Sequence, residues 1–446
     1  MWCRDCAQEV PSPQLARHRG HELTALTGAR GGSGDLGAGV VRLGTGTSRA
    51  LERLPSGMDA FDRLVGDARQ RGMVHNGLYL IAGPPGIGKT TLTTQVAAGL
   101  AQRGEVVLLA TGEEARDQVD DRARRLGVDG VPGLYLVETR RWGDVEDAIR
   151  THAGSDADPS VVIVDSAQRY TVLAHGGEAG SNMQIEALAH RAQDLAKRSG
   201  RCVVLIAQIN ADGDVRGPKA LEHAVDCVLL YEKNTDAQRM LRVTKNRFGA
   251  ADNAVMLEMT ERGLRELRGA IPAALTGTPE PGVVAFPAIL GAQSTTAVLV
   301  AVEASVDEVT DDMPKVVDAQ GYPAKDLRRV LDTLARNTAF PLAARSVRVS
   351  VPMLAERPIA DPALDLAVAA AVLSAAAGKV APAAFGRIAL SGRVEPDAKV
   401  AARVRALVEP GRGAPVGPMG ARGVRGIAHV RELLDAIAPG VFSRDA

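Results

Sequence analysis

The sequence predicts an α/β protein, a parallel sheet covered by helices and followed by a second, α+β domain. Three observations lead there. Residues 51–268 alternate strand-like and helix-like segments. The strand-like segments 77–82, 106–111, 161–164, 202–207 and 225–231 are nearly continuous apolar runs, as expected of strands buried on both faces. The first of them, containing LYLIA, leads into GPPGIGKTT and then LTTQVAAGLAQR, the strand, loop and helix order of a phosphate-binding loop.

The chain of 446 residues is too long for one compact core. Residues 1–27 hold Cys3, Cys6, His18 and His21, and 28–50 form a glycine-rich linker. The alternating domain covers 51–268. A Pro/Gly-rich break at 269–282 separates it from 283–446, which mixes strands with alanine-rich helices. No apolar run reaches membrane-spanning length and no secretion signal opens the chain, so a cytoplasmic location without a membrane partner is expected. Cys202 and Cys227 lie in apolar runs and read as buried thiols. With 53 basic and 53 acidic residues, no global positive field draws nucleic acid, so any DNA contact must be local. An aromatic content of 3% argues against binding mainly by base stacking, which leaves the nucleic-acid backbone as the handle.

Within the loop, Gly83, Gly86 and Gly88 let backbone N–H groups curl around phosphate oxygens, with Pro84, Pro85 and Ile87 between them. Lys89 supplies a charge for the β- and γ-phosphates. Thr90, followed by Thr91, offers a hydroxyl to Mg²⁺, a cation that prefers oxygen ligands. ATP and Mg²⁺ are the cofactors implied, and nucleoside triphosphate hydrolysis the chemistry. VVIVD ends in Asp165, the position of a second Mg²⁺-organising carboxylate. Segment 106–111 leads to Gly112, Glu113 and Glu114 at the sheet edge where ligands collect. Glu113 is the first choice for the base that activates water and Glu114 the second; alternatively both begin the next helix, where acidic residues suit the dipole. CVVLIAQ ends in Gln208, either a γ-phosphate sensor or simply a polar strand end. The following loop contains Arg216 and Lys219 and reads as mobile and locally basic.

Beyond these motifs, TGEEARDQVDDRARRLGV, VVIVDSAQ, GPKALEHAVDCVLLYE and above all KNRFG at Lys245 to Gly249 make the chain resemble the RadA/Sms family. These are bacterial DNA repair and recombination proteins with a RecA-like ATPase core related to hexameric DnaB-type helicases. The resemblance runs over nearly the whole chain. It implies that Lys245 and Arg247 reach across a subunit boundary to the neighbour's γ-phosphate; as alternate residues of an extended segment they would point the same way. It further implies a homohexamer, a DNA-dependent ATPase motor on single-stranded DNA that promotes branch migration, and single-stranded DNA, branched DNA and a RecA-type recombinase as partners. Without the resemblance, a Lys and an Arg at a strand end are more simply a solvated edge. The rival reading is a KaiC-like nucleotide-switched regulator without motor activity.

Two departures stand out. The family opens with a four-cysteine zinc finger, whereas here only Cys3 and Cys6 occur. His18 and His21 stand where a second ligand pair would be useful, so a modified Zn²⁺ site and a decayed finger are both open. The C-terminal domain resembles the Lon protease domain, whose Ser-Lys dyad places Ser in a P-S-A-G run. The corresponding residues here are Asp361, Pro362, Ala363, Leu364 and Asp365, and Ala363 carries no nucleophile. Lys399 falls near the dyad lysine without its spacing and reads as a surface residue or a DNA contact. The resemblance implies an assembly and DNA-binding platform, not a protease.

Overall fold

In the computed structural model the described residues are 2–3, 8–9, 17–18, 21–24, 52–67, 69–172, 176–209, 219–233, 238–251, 253–267, 272–289, 297–310, 315–352, 358–407 and 414–439. The chain divides into Met1–Glu52 and Arg53–Ala446. In the first unit, β1 (Trp2–Cys3), β2 (Gln8–Glu9), β3 (Arg17–His18) and β4 (His21–Thr24) form an antiparallel sheet of order β2-β1-β4-β3. Cys3 stands opposite Gln8 and Leu23, and His18 opposite His21. Cys6 and the side chains of Cys3, His18 and His21 lie outside the described residues.

The second unit begins with β5 (Arg53–Leu54), α1 (Asp59–Val65), β6 (Met73–Val74), β7 (Leu78–Gly83) and α2 (Lys89–Ala101). Then come β8 (Val107–Thr111), α3 (Arg116–Leu126), β9 (Leu134–Glu138), α4 (Trp142–His152), β10 (Val161–Asp165), α5 (Asn182–Ser199), β11 (Cys202–Gln208) and α6 (Lys219–Ala224). β12 (Cys227–Lys233), β13 (Gln238–Asn246), β14 (Ala254–Thr260) and β15 (Gly263–Glu266) complete a nine-stranded sheet of order β15-β14-β13-β12-β7-β11-β10-β8-β9. From β12 to β9 the pairing is parallel; β13 to β15 extend it antiparallel.

Apolar runs make central strands because both faces are covered. Leu78, Leu80, Val162, Val164 and Leu205 join one core with Trp142 and Leu188. Their alternates Tyr79, Ile81, Ile163, Val204 and Ile206 join another with Phe61, Leu92 and Val96. Cys202 and Cys227 are free and buried, and burial raises both thiol pKa values. β9 and the three antiparallel strands were not anticipated from the sequence. β9, LYLVE, is half-exposed, and Arg, Lys and Glu interrupt β13 to β15.

The rest of the unit is α+β: β16 (Val283–Ile289), β17 (Ala297–Glu308), β18 (Val317–Gln320), α7 (Ala324–Asn337), β19 (Arg345–Ser350), α8 (Leu364–Ala377), α9 (Val400–Ala406), β20 (Val416–Pro418), β21 (Arg425–Ile427) and α10 (Arg431–Ile437). Its main sheet has order β16-β17-β19-β18. Helix α8 is buried from Leu364 to Ser374, and its alanines let β16, β17, α7 and α10 approach it closely. The core around α8 also takes in Met240, Ala254 and Met256 of β13 and β14. No helix among the described residues is long and apolar enough to cross a membrane.

Candidate nucleotide site

Gly83 closes β7 opposite Gln208, and the loop turns there into α2. A side chain at Gly83 would place Cβ 2.4 Å from the Tyr231 carbonyl oxygen, and one at Gly88 would meet Met259 at 2.5 Å. Gly88, at φ +104°, also has the left-handed backbone that glycine alone adopts freely. Around Gly86 the space is open to 4 Å, which leaves the loop backbone accessible to a ligand. Between the proline pair Pro84–Pro85 and the helix, Ile87 is buried in the core, and its carbonyl accepts a hydrogen bond from the buried Arg239 of β13 at 3.1 Å. Lys89 donates to the Gly83 and Pro84 carbonyls, both at 2.9 Å. Burial lowers its pKa, against the pull of Asp165 and Glu113. Thr91 is buried, whereas the Thr90 hydroxyl donates to Asp165 at 2.5 Å.

That pair sets a hydroxyl and a carboxylate, two hard oxygen donors, beside the loop, so the residues fit Mg²⁺ with a triphosphate. Asp165 ends β10 alongside Thr111 of β8. Burial raises its pKa from 3.8 to about 6; Glu113 and Glu114 add to the rise, while the Thr90 hydrogen bond and Lys89 oppose it. The Asp165–Ser166 peptide is cis.

The two glutamates differ. Glu114 is paired through both oxygens with the Arg122 guanidinium, which holds the Arg122 proton more tightly. Glu113 accepts from the buried Ser166 hydroxyl at 2.5 Å and from Gln208 Nε2 at 3.3 Å, with Arg169 at 3.5 Å. All three contacts fall on Oε1, so Oε2 is open among the described residues. Neither glutamate begins a helix, since α3 starts at Arg116. Gln208 is tied through its backbone to the Gln168 side chain, 3.4 Å away in each direction. Ser166 and Arg169 escaped the sequence reading; their only trace was the polar stretch following VVIVD.

Lys245 and Arg247 lie at the other end of the sheet. Val228 is level with Leu80 on β7 and opposite Lys245 on β13. At ~3.3 Å per residue, Lys245 therefore sits about 10 Å short of the Gly83 level and about two strand spacings to the side. The structure does not bring either residue to this chain's own loop. Lys245 donates to the Glu222 and His223 carbonyls at the end of α6, at 2.7 and 3.2 Å, and burial, with Arg247 nearby, lowers its pKa. Arg247 is 57% exposed and 3.6 Å from Asp226.

The other motif residues lock the segment in place. Asn246 donates to the Val65 carbonyl and accepts from the Phe248 amide. The Phe248 carbonyl accepts from Arg53 at 2.7 Å, and its ring packs against Tyr79. A Cβ on Gly249 would stand 2.0 Å from the Gly66 carbonyl oxygen. Arg216 lies outside the described residues, and Lys219 is placed only by its backbone, at the start of α6.

In the C-terminal region, Ala363 and Lys399 line one cavity of about 390 Å³ with Asp361, Asp397 and Arg403. Arg403, 4% exposed, donates to both Asp361 oxygens at 2.7 and 2.9 Å, to Asp397 at 2.5 Å and to the Pro287 carbonyl at 2.7 Å. It also lies between the Phe286 and Phe385 rings.

A phosphate loop closing a parallel-sheet strand, with a Thr-carboxylate pair and a free glutamate oxygen at the same edge, defines a RecA-like P-loop ATPase. A family profile described as an AAA domain matches residues 63–214. The DNA repair protein RadA of Brucella abortus is 35% identical over 351 residues, which span 77% of this chain and 72% of that protein. The DNA repair protein RadA of Haemophilus influenzae is 30% identical over 418 residues, 92% of this chain and 88% of that one. A solved structure of a KaiC-like protein from Pyrococcus horikoshii aligns with a TM-score of 0.40 at 19% identity, over 49% of this chain and 99% of that one. The chain belongs to the RadA family.

Proposed function

We propose that this protein is a DNA-dependent ATPase of recombinational repair, a hexameric ring that translocates on single-stranded DNA and promotes branch migration. The observation that carries this reading is the separation of Lys245 and Arg247 from their own loop: an exposed arginine at the far sheet edge serves a neighbour's phosphates or none. The names of the RadA relatives support a role in DNA repair.

In this reading Lys89 holds the β- and γ-phosphates, and Thr90 and Asp165 hold Mg²⁺. The metal neutralises charge on the phosphate oxygens when bound. Glu113, oriented by Ser166 and Gln208 through one oxygen, takes the proton of the attacking water on the other. Gln208 joins that base to the strand beside the loop and so reports the γ-phosphate. Lys245 and Arg247 complete the neighbouring site, where such an arginine contributes about 10³-fold or more in kcat. The DNA path runs past Arg216 and Lys219, KNRFG and the C-terminal platform, with branched DNA and a RecA-type recombinase as partners in the cytoplasm. Cys3, Cys6, His18 and His21 form a modified Zn²⁺ site; a zinc-to-protein ratio near zero after purification without chelator rejects that part.

The deciding experiment is steady-state ATP hydrolysis with and without single-stranded DNA, on wild type and Lys89→Ala. A DNA-stimulated rate that the variant abolishes supports the motor. A DNA-indifferent, Lys89-dependent rate replaces it with a nucleotide-switched regulator.

A further inference from the structure

Asp226 joins α6 to β12, and its side chain is 3% exposed. One oxygen accepts the Leu78 amide at 2.9 Å and the Lys197 ammonium at 2.7 Å; the other faces the Arg247 guanidinium at 3.6 Å. The backbone repeats both links: the Asp226 amide donates to the Leu78 carbonyl at 2.8 Å, and the Arg247 amide donates to the Asp226 carbonyl at 2.9 Å. Leu78 is the first residue of β7, the strand that ends in the phosphate loop. Lys197 also donates to the Asn76 carbonyl and lies over the Phe248 ring.

We infer that Asp226 is a positioning residue that aims Arg247 at the neighbouring subunit from the same carboxylate that anchors the start of the phosphate-loop strand. A buried carboxylate requires compensating charge, and Lys197 with the Leu78 amide satisfies one oxygen completely. The second oxygen is left to a guanidinium beyond hydrogen-bonding distance and largely in solvent. Such a contact restricts the rotamers of Arg247 without sequestering its donors, so the arginine is directed outward yet stays available to phosphate.

This inference rests on Arg247 acting in trans, and the test separates the two. Asp226→Asn keeps an acceptor for the Leu78 amide and removes the charge. The expected result is a loss in kcat of about tenfold to a hundredfold, with unchanged affinity for a fluorescent ATP analogue and no further loss in an Arg247→Ala background. Because the loop and the arginine belong to different subunits, mixing Asp226→Asn with Lys89→Ala restores activity at interfaces that pair an intact loop with an aimed arginine. Weakened nucleotide binding, an additive loss on Arg247→Ala, or no recovery on mixing overturns the inference. In the parallel mixture of Arg247→Ala with Lys89→Ala, recovery isolates the failure to Asp226; no recovery rejects the trans reading and this inference together. Should Asp226→Asn not fold, Lys197→Met decides: it must change kcat when Arg247 is present and leave it unchanged on Arg247→Ala, and any other pattern overturns the proposal.

Discussion

In the nucleotide site, among the described residues, Lys89 bonds only to loop carbonyls and Glu113 keeps one oxygen open, whereas in the C-terminal cavity Arg403 has spent its guanidinium on two carboxylates and a carbonyl between two aromatic rings. Both places gather charged side chains. They differ in how much hydrogen-bonding capacity remains for something else. At the sheet edge the polar groups can exchange partners when a ligand arrives. In the cavity Arg403, Asp361 and Asp397 have closed on one another, beside an alanine that cannot act as a nucleophile. Charge in a pocket is thus a poor guide to chemistry until its partners are counted.

The contrast is broken most forcefully by exchanging carboxylates for amides at the first site. Glu113→Gln should lower kcat by about 10²–10⁴-fold with nucleotide affinity kept, because the lost function is proton transfer. Glu114→Gln should instead act through the Arg122 pair, on stability more than on turnover; equal losses in kcat would erase the distinction between the two glutamates. At the second site, Arg403→Met should cost about 3–5 kcal/mol in urea unfolding, since it strands Asp361 and Asp397 as uncompensated charges. A cost below about 1 kcal/mol would mean that this ion network is not structural.

A subtler effect comes from Asp165, whose pKa is raised to about 6. Below that pH the ligand-free protein holds it neutral, so kcat/KM for MgATP should fall on the acid side with an apparent pKa near that value. The stability effect has the opposite sign. The folded state binds this proton more tightly than the unfolded state, so the contribution of Asp165 to stability declines as pH rises from about 4 to about 6. Asp165→Asn should remove that slope and raise the melting temperature at pH 7 while abolishing Mg²⁺-dependent turnover. An unchanged melting profile would show that the carboxylate is not desolvated. The smallest change is Ala363→Ser. Ala363 is buried and already has helical backbone angles (φ −72°, ψ −4°), so the serine gains no cap and stability should move by less than about 1 kcal/mol, with casein left uncut. Cleavage would show that the cavity still supports acyl transfer.

These differences also mark what was legible in the chain. Continuous apolar runs revealed the central strands, because burial on both faces leaves no other pattern, and GPPGIGKTT carried its own geometry. β13 stayed hidden, since Arg239, Arg242 and Lys245 sit among its apolar residues and mask the alternation, and β15 is a four-residue strand with Arg265 and Glu266 in it. Glu113 was found through its place after a strand, but its preference over Glu114 depends on Arg122 and Ser166, brought together only by folding. KNRFG showed the same limit. Its Lys and Arg suggested chemistry, whereas the reason for Asn246, Phe248 and Gly249 appears only when Arg53, Val65, Gly66 and Tyr79 are folded beside them.

Strand β14 deserves a mechanical description. Ala254 and Met256 face the core built around α8, while Val255 and Leu257 face the core under the phosphate loop, and Met259 stands over Gly88. One strand is thus a party wall between two rooms, with no hinge in it. A load placed on the C-terminal domain would press through this wall onto the turn at Gly88. Nucleotide turnover would then become sensitive to force as well as to concentration.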